Sequence, residues 1–132
     1  MKSTHFSNYL QETTESVKAR EASVLLGLQN SYRMFEPFVL PNGKLLSVQA
    51  SVGHYCNPRT TSLNLDVYET MELAVMTNDY SFIRIDSITD DLDLIESFEQ
   101  YYEGTVYGCV PVDLIQVLFV LLVSNNAPKW ID

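Results

Sequence analysis

Phe38-Val39-Leu40-Pro41-Asn42-Gly43-Lys44-Leu45-Leu46 sets an Asn-Gly pair between two apolar runs. Asn and Gly tolerate the positive φ angles of a tight turn, so the stretch predicts a β-hairpin. The second strand continues with Leu46, Val48, Ala50 and Val52 on one face and Ser47, Gln49 and Ser51 on the other. Residues 53–62, with Asn57-Pro58 among them, read as a loop. A longer alternation follows, in which Leu63, Leu65, Val67, Met71, Leu73 and Val75 hold odd positions while Asn64, Asp66, Tyr68, Thr70 and Glu72 hold even ones. A period of two predicts a strand over 63–76, long enough to expect a bulge or bend near Glu69. Asn78-Asp79 then turns the chain, and 80–87 reads as the returning strand.

Beyond the strands the pattern changes period. Thr89-Asp90-Asp91 looks like a helix start, because their oxygens can cap free amides and acids favour the positive end. Leu92, Ile95, Phe98 and Tyr102 then predict one helical face ending at Gly104. Residues 105–110 read as a last strand, with Pro111 at the first position of a final helix. Upstream, Phe6, Leu10, Val17, Val24, Leu25 and Leu28 recur at helical spacing and predict a helix over 4–34, broken at Glu36-Pro37. Its thin early stripe suggests first turns that are mobile or packed on a partner subunit. The order is α-β-β-β-β-α-β-α. The fold class expected is α+β: an N-terminal helix, an antiparallel sheet of four to five strands, then an acidic helix and an apolar C-terminal helix packed on it.

The size fits one domain over 1–132, with no repeat, low-complexity segment or linker. Hydrophobic residues make up 46% of the chain, too many for a disordered one. In 114–123 only Gln116 interrupts an apolar run. A spanning helix needs about 20 such residues, so the run is expected in the core or at a homodimer interface, with no membrane association. Two cysteines, Cys56 and Cys109, make no disulfide framework, and the N-terminus lacks an apolar signal core; a cytoplasmic setting is expected.

Charge is distributed unevenly. The formal net charge is −9. Residues 1–60 carry Glu12, Glu15, Glu21 and Glu36 against Lys2, Lys18, Arg20, Arg33, Lys44 and Arg59, whereas 61–132 carry 13 acids against Arg84 and Lys129. A field of one sign repels phosphate backbones and attracts basic surfaces, which argues against direct nucleic-acid binding and for a basic protein partner. The acids are densest at Asp86, Asp90, Asp91, Asp93, Glu96, Glu99 and Glu103, with no base in 85–103. On a helix they would cover the exposed side, either as a solvated face or as an imitation of a phosphate array. The same run lacks the sixth-position Gly of a calcium loop.

His54-x-Cys56 is the second constellation. A histidine beside a cysteine can lower a thiol pKa or bind zinc, but four-ligand sites show two short ligand pairs and this chain shows one. No metal is expected there, and Cys56 reads as a small buried residue at a strand end. His54, Tyr55 and Arg59 together form an alternative ligand loop, able to stack on and charge-pair with a small anion or nucleotide. No phosphate loop, Ser/His/Asp arrangement or dinucleotide fingerprint occurs, so no catalytic residue and no cofactor is assigned.

Two stretches resemble small phage- and plasmid-encoded proteins of unassigned activity. They are Ser47-Val48-Gln49-Ala50-Ser51 leading into His54-Tyr55-Cys56-Asn57-Pro58-Arg59, and Val106-Tyr107-Gly108-Cys109-Val110-Pro111-Val112. The second also resembles the Gly-x-x-Pro end of an SH3 domain, without that fold's aromatic ligand pattern. The first resemblance implies a genetic context and no chemistry. With the acidic charge it leads to an expected non-catalytic inhibitor of a host nucleic-acid machine, anti-CRISPR or antirestriction-like, acting on its basic channel. The alternatives are a nucleotide-sequestering protein using the 54–59 loop and a Cys56/His54-dependent enzyme.

Overall fold

The computed structural model describes residues 5–27 and 32–125. Three helices, α1 (Thr14–Leu25), α2 (Leu92–Glu99) and α3 (Val112–Asn125), accompany five strands, β1 (Phe38–Val39), β2 (Leu45–Gln49), β3 (Thr70–Met76), β4 (Phe82–Ile83) and β5 (Tyr107–Pro111). The fold is α+β, in the element order expected.

The hairpin lies where its turn signal falls. Phe38 pairs with Leu46 and Val39 with Leu45. The Gly43 N–H returns to the Leu40 carbonyl at 2.9 Å, and only Gly43, at φ +85°, is left-handed there. Thus Pro41 and Asn42 occupy the turn centre and Gly43 supplies the positive φ, as in three-residue hairpin loops. Asn42 contributes its side chain, accepting the Lys44 N–H at 3.0 Å. β2 then pairs along its whole length with β3. On the other side of β3, β5 takes the first half and β4 the second, so these two lie end to end along one edge. All pairings are antiparallel.

One sheet face carries Leu46, Val48, Met71, Leu73 and Val75, all buried, under Leu94 and Phe98 of α2 and Ile115, Leu118, Phe119 and Leu122 of α3. This is the core. Gln116, the polar break in the apolar run, accepts the Phe6 N–H at 2.9 Å. Phe6 is fully buried and Tyr9 stacks on Phe119, so the 3-10 turn packs on the core of its own chain. α3 is buried on one side only, since Val117 and Val120 are exposed.

Several boundaries differ from the sequence expectation. The helix expected over 4–34 is a 3-10 turn, Phe6–Tyr9, an extended link, and α1. Thr13 caps α1 by accepting the Ser16 N–H, and the link pairs with the stretch after α1, Thr13 N–H to Met34 O at 2.9 Å and Glu36 N–H to Gln11 O at 2.7 Å. Backbone bonds spent on that pairing cannot serve a helix. Gly27, at φ +77°, ends the helix; Leu28 lies outside the described residues. The strand expected over 63–76 begins only at Thr70. Before it, Asn64 accepts the Asp66 N–H and caps a 3-10 turn, Leu65–Val67, leaving Leu63 exposed.

The strand expected over 80–87 is the two-residue β4 and a 3-10 turn, Ile85–Ser87, after a turn with Tyr80 at φ +67°. α2 is shorter than expected because its end is followed by the Tyr101–Tyr102 turn; Gly104 is left-handed in the loop beyond rather than capping the helix. Of the three residues expected at the helix start, Asp91 is the N-cap; on the helix itself Leu94 rather than Leu92 faces inward. Pro111 closes β5 instead of opening α3. The bulge expected near Glu69 is on β5. Met71 pairs with Val110 and Leu73 with Tyr107, so Gly108 and Cys109 together oppose Glu72, and Cys109 adopts φ +49°.

Candidate functional site

The acidic residues lie on consecutive elements of the chain. Asp86 lies on the 3-10 turn, Asp90 and Asp91 at the start of α2, Asp93, Glu96 and Glu99 on it, and Glu103 in the loop after; all seven are exposed. Two have structural duties. Asp91 accepts the Leu94 N–H at 3.1 Å, and Glu99 pairs with Arg84, whose guanidinium lies 4.1 Å from the Tyr102 ring centre. Asp86, Asp90, Asp93, Glu96 and Glu103 are therefore the acids left to meet a partner. No described residues group three metal-ligating side chains.

The 54–59 loop divides in two. His54 turns inward, its Nδ1 2.7 Å from the Ser51 hydroxyl and its ring 4.9 Å from that of Tyr32. Burial, reinforced by Arg33 and Arg59, pushes its pKa down to about 4, so the ring is neutral at pH 7. Tyr55 and Arg59 stay outside and stack on each other at 5.2 Å, with Arg59 Nε donating to the Val52 carbonyl at 3.1 Å. The three residues thus do not converge on one ligand.

Cys56 is buried, its sulfur 3.4 Å from the carbonyls of Ser51 and Pro58. Burial raises the thiol pKa, the opposite of what activates a nucleophile. Cys109 is exposed, on the bulge.

The polar face of β2 is the less expected feature. Ser47, Gln49 and Ser51 are buried rather than solvated. The Gln49 side chain acts as a short strand, accepting the Phe35 N–H and donating to the Phe35 carbonyl, both at 2.8 Å. Arg33 anchors the same segment from within, donating to the carbonyls of Ser62 at 2.5 Å and Ala50 at 2.6 Å. What this segment leaves uncovered is a cleft of about 350 Å³ over Gln49, Glu72, Ala74 and Met76, walled by Tyr32, His54, Tyr80 and Phe82.

Glu72, read from the sequence only as a polar strand position, sits on the floor of this cleft. Its Oε2 accepts the Tyr55 N–H at 2.8 Å. Burial pushes its pKa up, partly offset by that hydrogen bond and by the charge of Arg59. Its significance depends on the loop at 55 and the bulge at 108–109, neither of which is near it in sequence. A larger open groove of about 710 Å³ lies between Tyr9 and the β1 hairpin and holds one carboxyl side chain, Glu36.

No protein-family model, curated protein or solved structure matches the chain. Among the described residues, no helix is long and apolar enough to cross a membrane.

Proposed function

We propose that the protein is a non-catalytic acidic binding protein that engages the basic surface of a nucleic-acid-binding protein and competes there with the nucleic acid. One observation carries the reading. Seven exposed carboxylates follow one another from the 3-10 turn through α2 to the loop after it, and among the described residues a single cation, Arg84, pairs with one of them. Carboxylates held on a packed helix keep fixed spacings, which is what imitation of a phosphate array requires. Burial of Cys56 removes the support for a thiol-dependent enzyme. Separation of His54 from Tyr55 and Arg59 removes support for an anion site on that loop. The resemblance to phage- and plasmid-encoded proteins adds a host defence nuclease, anti-CRISPR or antirestriction-like, as the class of target.

The test is association with a purified CRISPR effector complex and a restriction enzyme, followed by biolayer interferometry and by displacement of labelled DNA. Opposite-charge steering makes the association rate fall by about 10-fold or more between ~50 and ~300 mM salt. The quadruple variant D86K/D90K/D93K/E96K, which spares the cap and the Arg84 pair, should lose binding and keep its circular dichroism spectrum. Binding that is indifferent to salt, or that survives the charge reversal, would refute the reading.

A further inference from the structure

The cleft over β2 and β3 has a composition that a core would not produce. Tyr32, Tyr80 and Phe82 line it and are 50%, 66% and 50% exposed. Between them lies one half-buried carboxyl group, Glu72, the one acidic or basic side chain of the lining besides the neutral His54. The other polar groups on the floor are already engaged, since Gln49 holds Phe35 and also donates to the Ser47 hydroxyl at 2.9 Å. Among the described residues Glu72 receives one hydrogen bond, from the Tyr55 N–H, which leaves acceptor capacity directed at no protein donor. A carboxylate partly removed from water with incomplete pairing is costly to hold ionised. Burial does push its pKa up.

We propose that this cleft binds a small organic cation of the alkylammonium type, with Glu72 as counter-ion and the rings of Tyr32, Tyr80 and Phe82 as its walls. Aromatic faces attract a cation through their quadrupole and do so most strongly where water is thinned out. An anion would meet Glu72 with no compensating charge in the lining. A hard metal ion would need several more oxygens than one carboxylate supplies. The volume is at the small end of ligand pockets and fits a compact head group. The nearby arginines do not fill the site. Arg59 lies on Tyr55 outside it, and Arg33 is bound to carbonyls beneath it. His54 is neutral and adds no repulsion.

Two backbone features build the cleft. Gly53 lacks a side chain where the Tyr32 ring lies against the chain, and a methyl there would overlap the ring. The bulge at Gly108–Cys109 leaves Glu72 without a paired residue on β5, while the Cys109 N–H holds the Tyr55 carbonyl at 2.9 Å. Tyr55 is thereby fixed with its own N–H on Glu72. Bulges commonly re-aim a side chain in this way. None of the seven carboxylates of the acidic face takes part, so the two proposals stand or fall separately.

Calorimetric titration of the full chain with choline, and with its neutral isostere 3,3-dimethylbutan-1-ol, tests the site. Choline should bind with a Kd at or below about 1 mM, and the alcohol at least ~10-fold more weakly. Glu72→Gln should weaken choline binding by ~10-fold or more, and Tyr80→Ala several-fold, because each removes one attraction of the cation. Tyr80 is two-thirds exposed, so its variant, with the choline–alcohol comparison on the unaltered chain, decides the matter even if Glu72→Gln misfolds. Absence of choline binding, equal binding of the alcohol, or unweakened binding by a folded Glu72→Gln would overturn the proposal. Binding of a trimethyl-lysine peptide in place of choline would overturn it as well.

Discussion

His54 is the residue whose environment departs furthest from its expected chemistry. In the sequence it stands beside Tyr55 and near Arg59 as a candidate for ligand recognition; in the fold it is a neutral ring sealed against Ser51 and Tyr32. The consequence is a pH dependence with a definite sign. The unfolded imidazole takes its proton near pH 6.5, the folded one only near 4. Between those values the unfolded state holds more protons, so stability is complete above about 6.5 and is lost as the pH falls toward 4. The loss amounts to at most about 3 kcal/mol from this group. Urea midpoints at pH 7 and 4.5 should therefore converge in His54→Gln relative to the unaltered chain. Glu12, lowered chiefly by its Arg20 hydrogen bond, acts in the same direction at lower pH, and Glu72, raised by burial, acts against it. Both remain in the variant, so the difference between the proteins isolates His54. An unchanged pH slope would show that the ring is not held neutral. No local pattern marks Glu72, the residue that now matters most on that face, because its surroundings come from positions 32, 55, 80, 82 and 108–109.

At the scale of elements, the hairpin, the capped start of α2 and the apolar α3 were legible because each depends on neighbours in sequence. The N-terminal helix and the long strand were over-read for a common reason. Apolar periodicity in 4–34 and 63–69 is real, but side-chain caps at Thr13 and Asn64 and the backbone pairing of 11–13 with 34–36 redirect the chain. Val24, Leu25 and Leu26 consequently end α1 exposed. Gln49 shows the reverse case, a polar strand position that is structural. Its amide supplies the hydrogen bonds of a missing sheet edge to Phe35, and through Phe35 it positions the segment that walls the cleft. Gln49→Leu conserves approximate volume but leaves the buried Phe35 N–H and carbonyl without their partner. Each such group costs about 1–3 kcal/mol, so a loss of roughly 2–4 kcal/mol is expected in chemical denaturation. A loss below about 1 kcal/mol would mean that water or another group replaces the amide without penalty.

At the scale of the molecule, charge links stability to function. The chain carries −9, and within the described residues two ion pairs, Arg20–Glu12 and Arg84–Glu99, hold acids at close range. Self-repulsion of like charges opposes the compact state and is screened by salt. Asp86, Asp90, Asp93 and Glu96 contribute to that repulsion without serving as the α2 cap or in the Arg84 pair, with Asp93 and Glu96 on one short helix and Asp90 just before its cap. Two accounts of these acids predict opposite results. If they support the fold, replacing them lowers the melting temperature. If they are a binding face held at a cost in stability, reversing them raises it. Asp90 and Asp93 do favour the positive end of α2, worth a few tenths of a kcal/mol each, which sets a small term against the gain. The net expectation for D86K/D90K/D93K/E96K is a melting temperature about 3–5 °C higher at low salt, shrinking toward zero above ~300 mM salt. Differential scanning calorimetry across salt concentrations reads both quantities. A lower melting temperature at every salt concentration would assign the acids to the fold and leave the binding proposal without its physical basis.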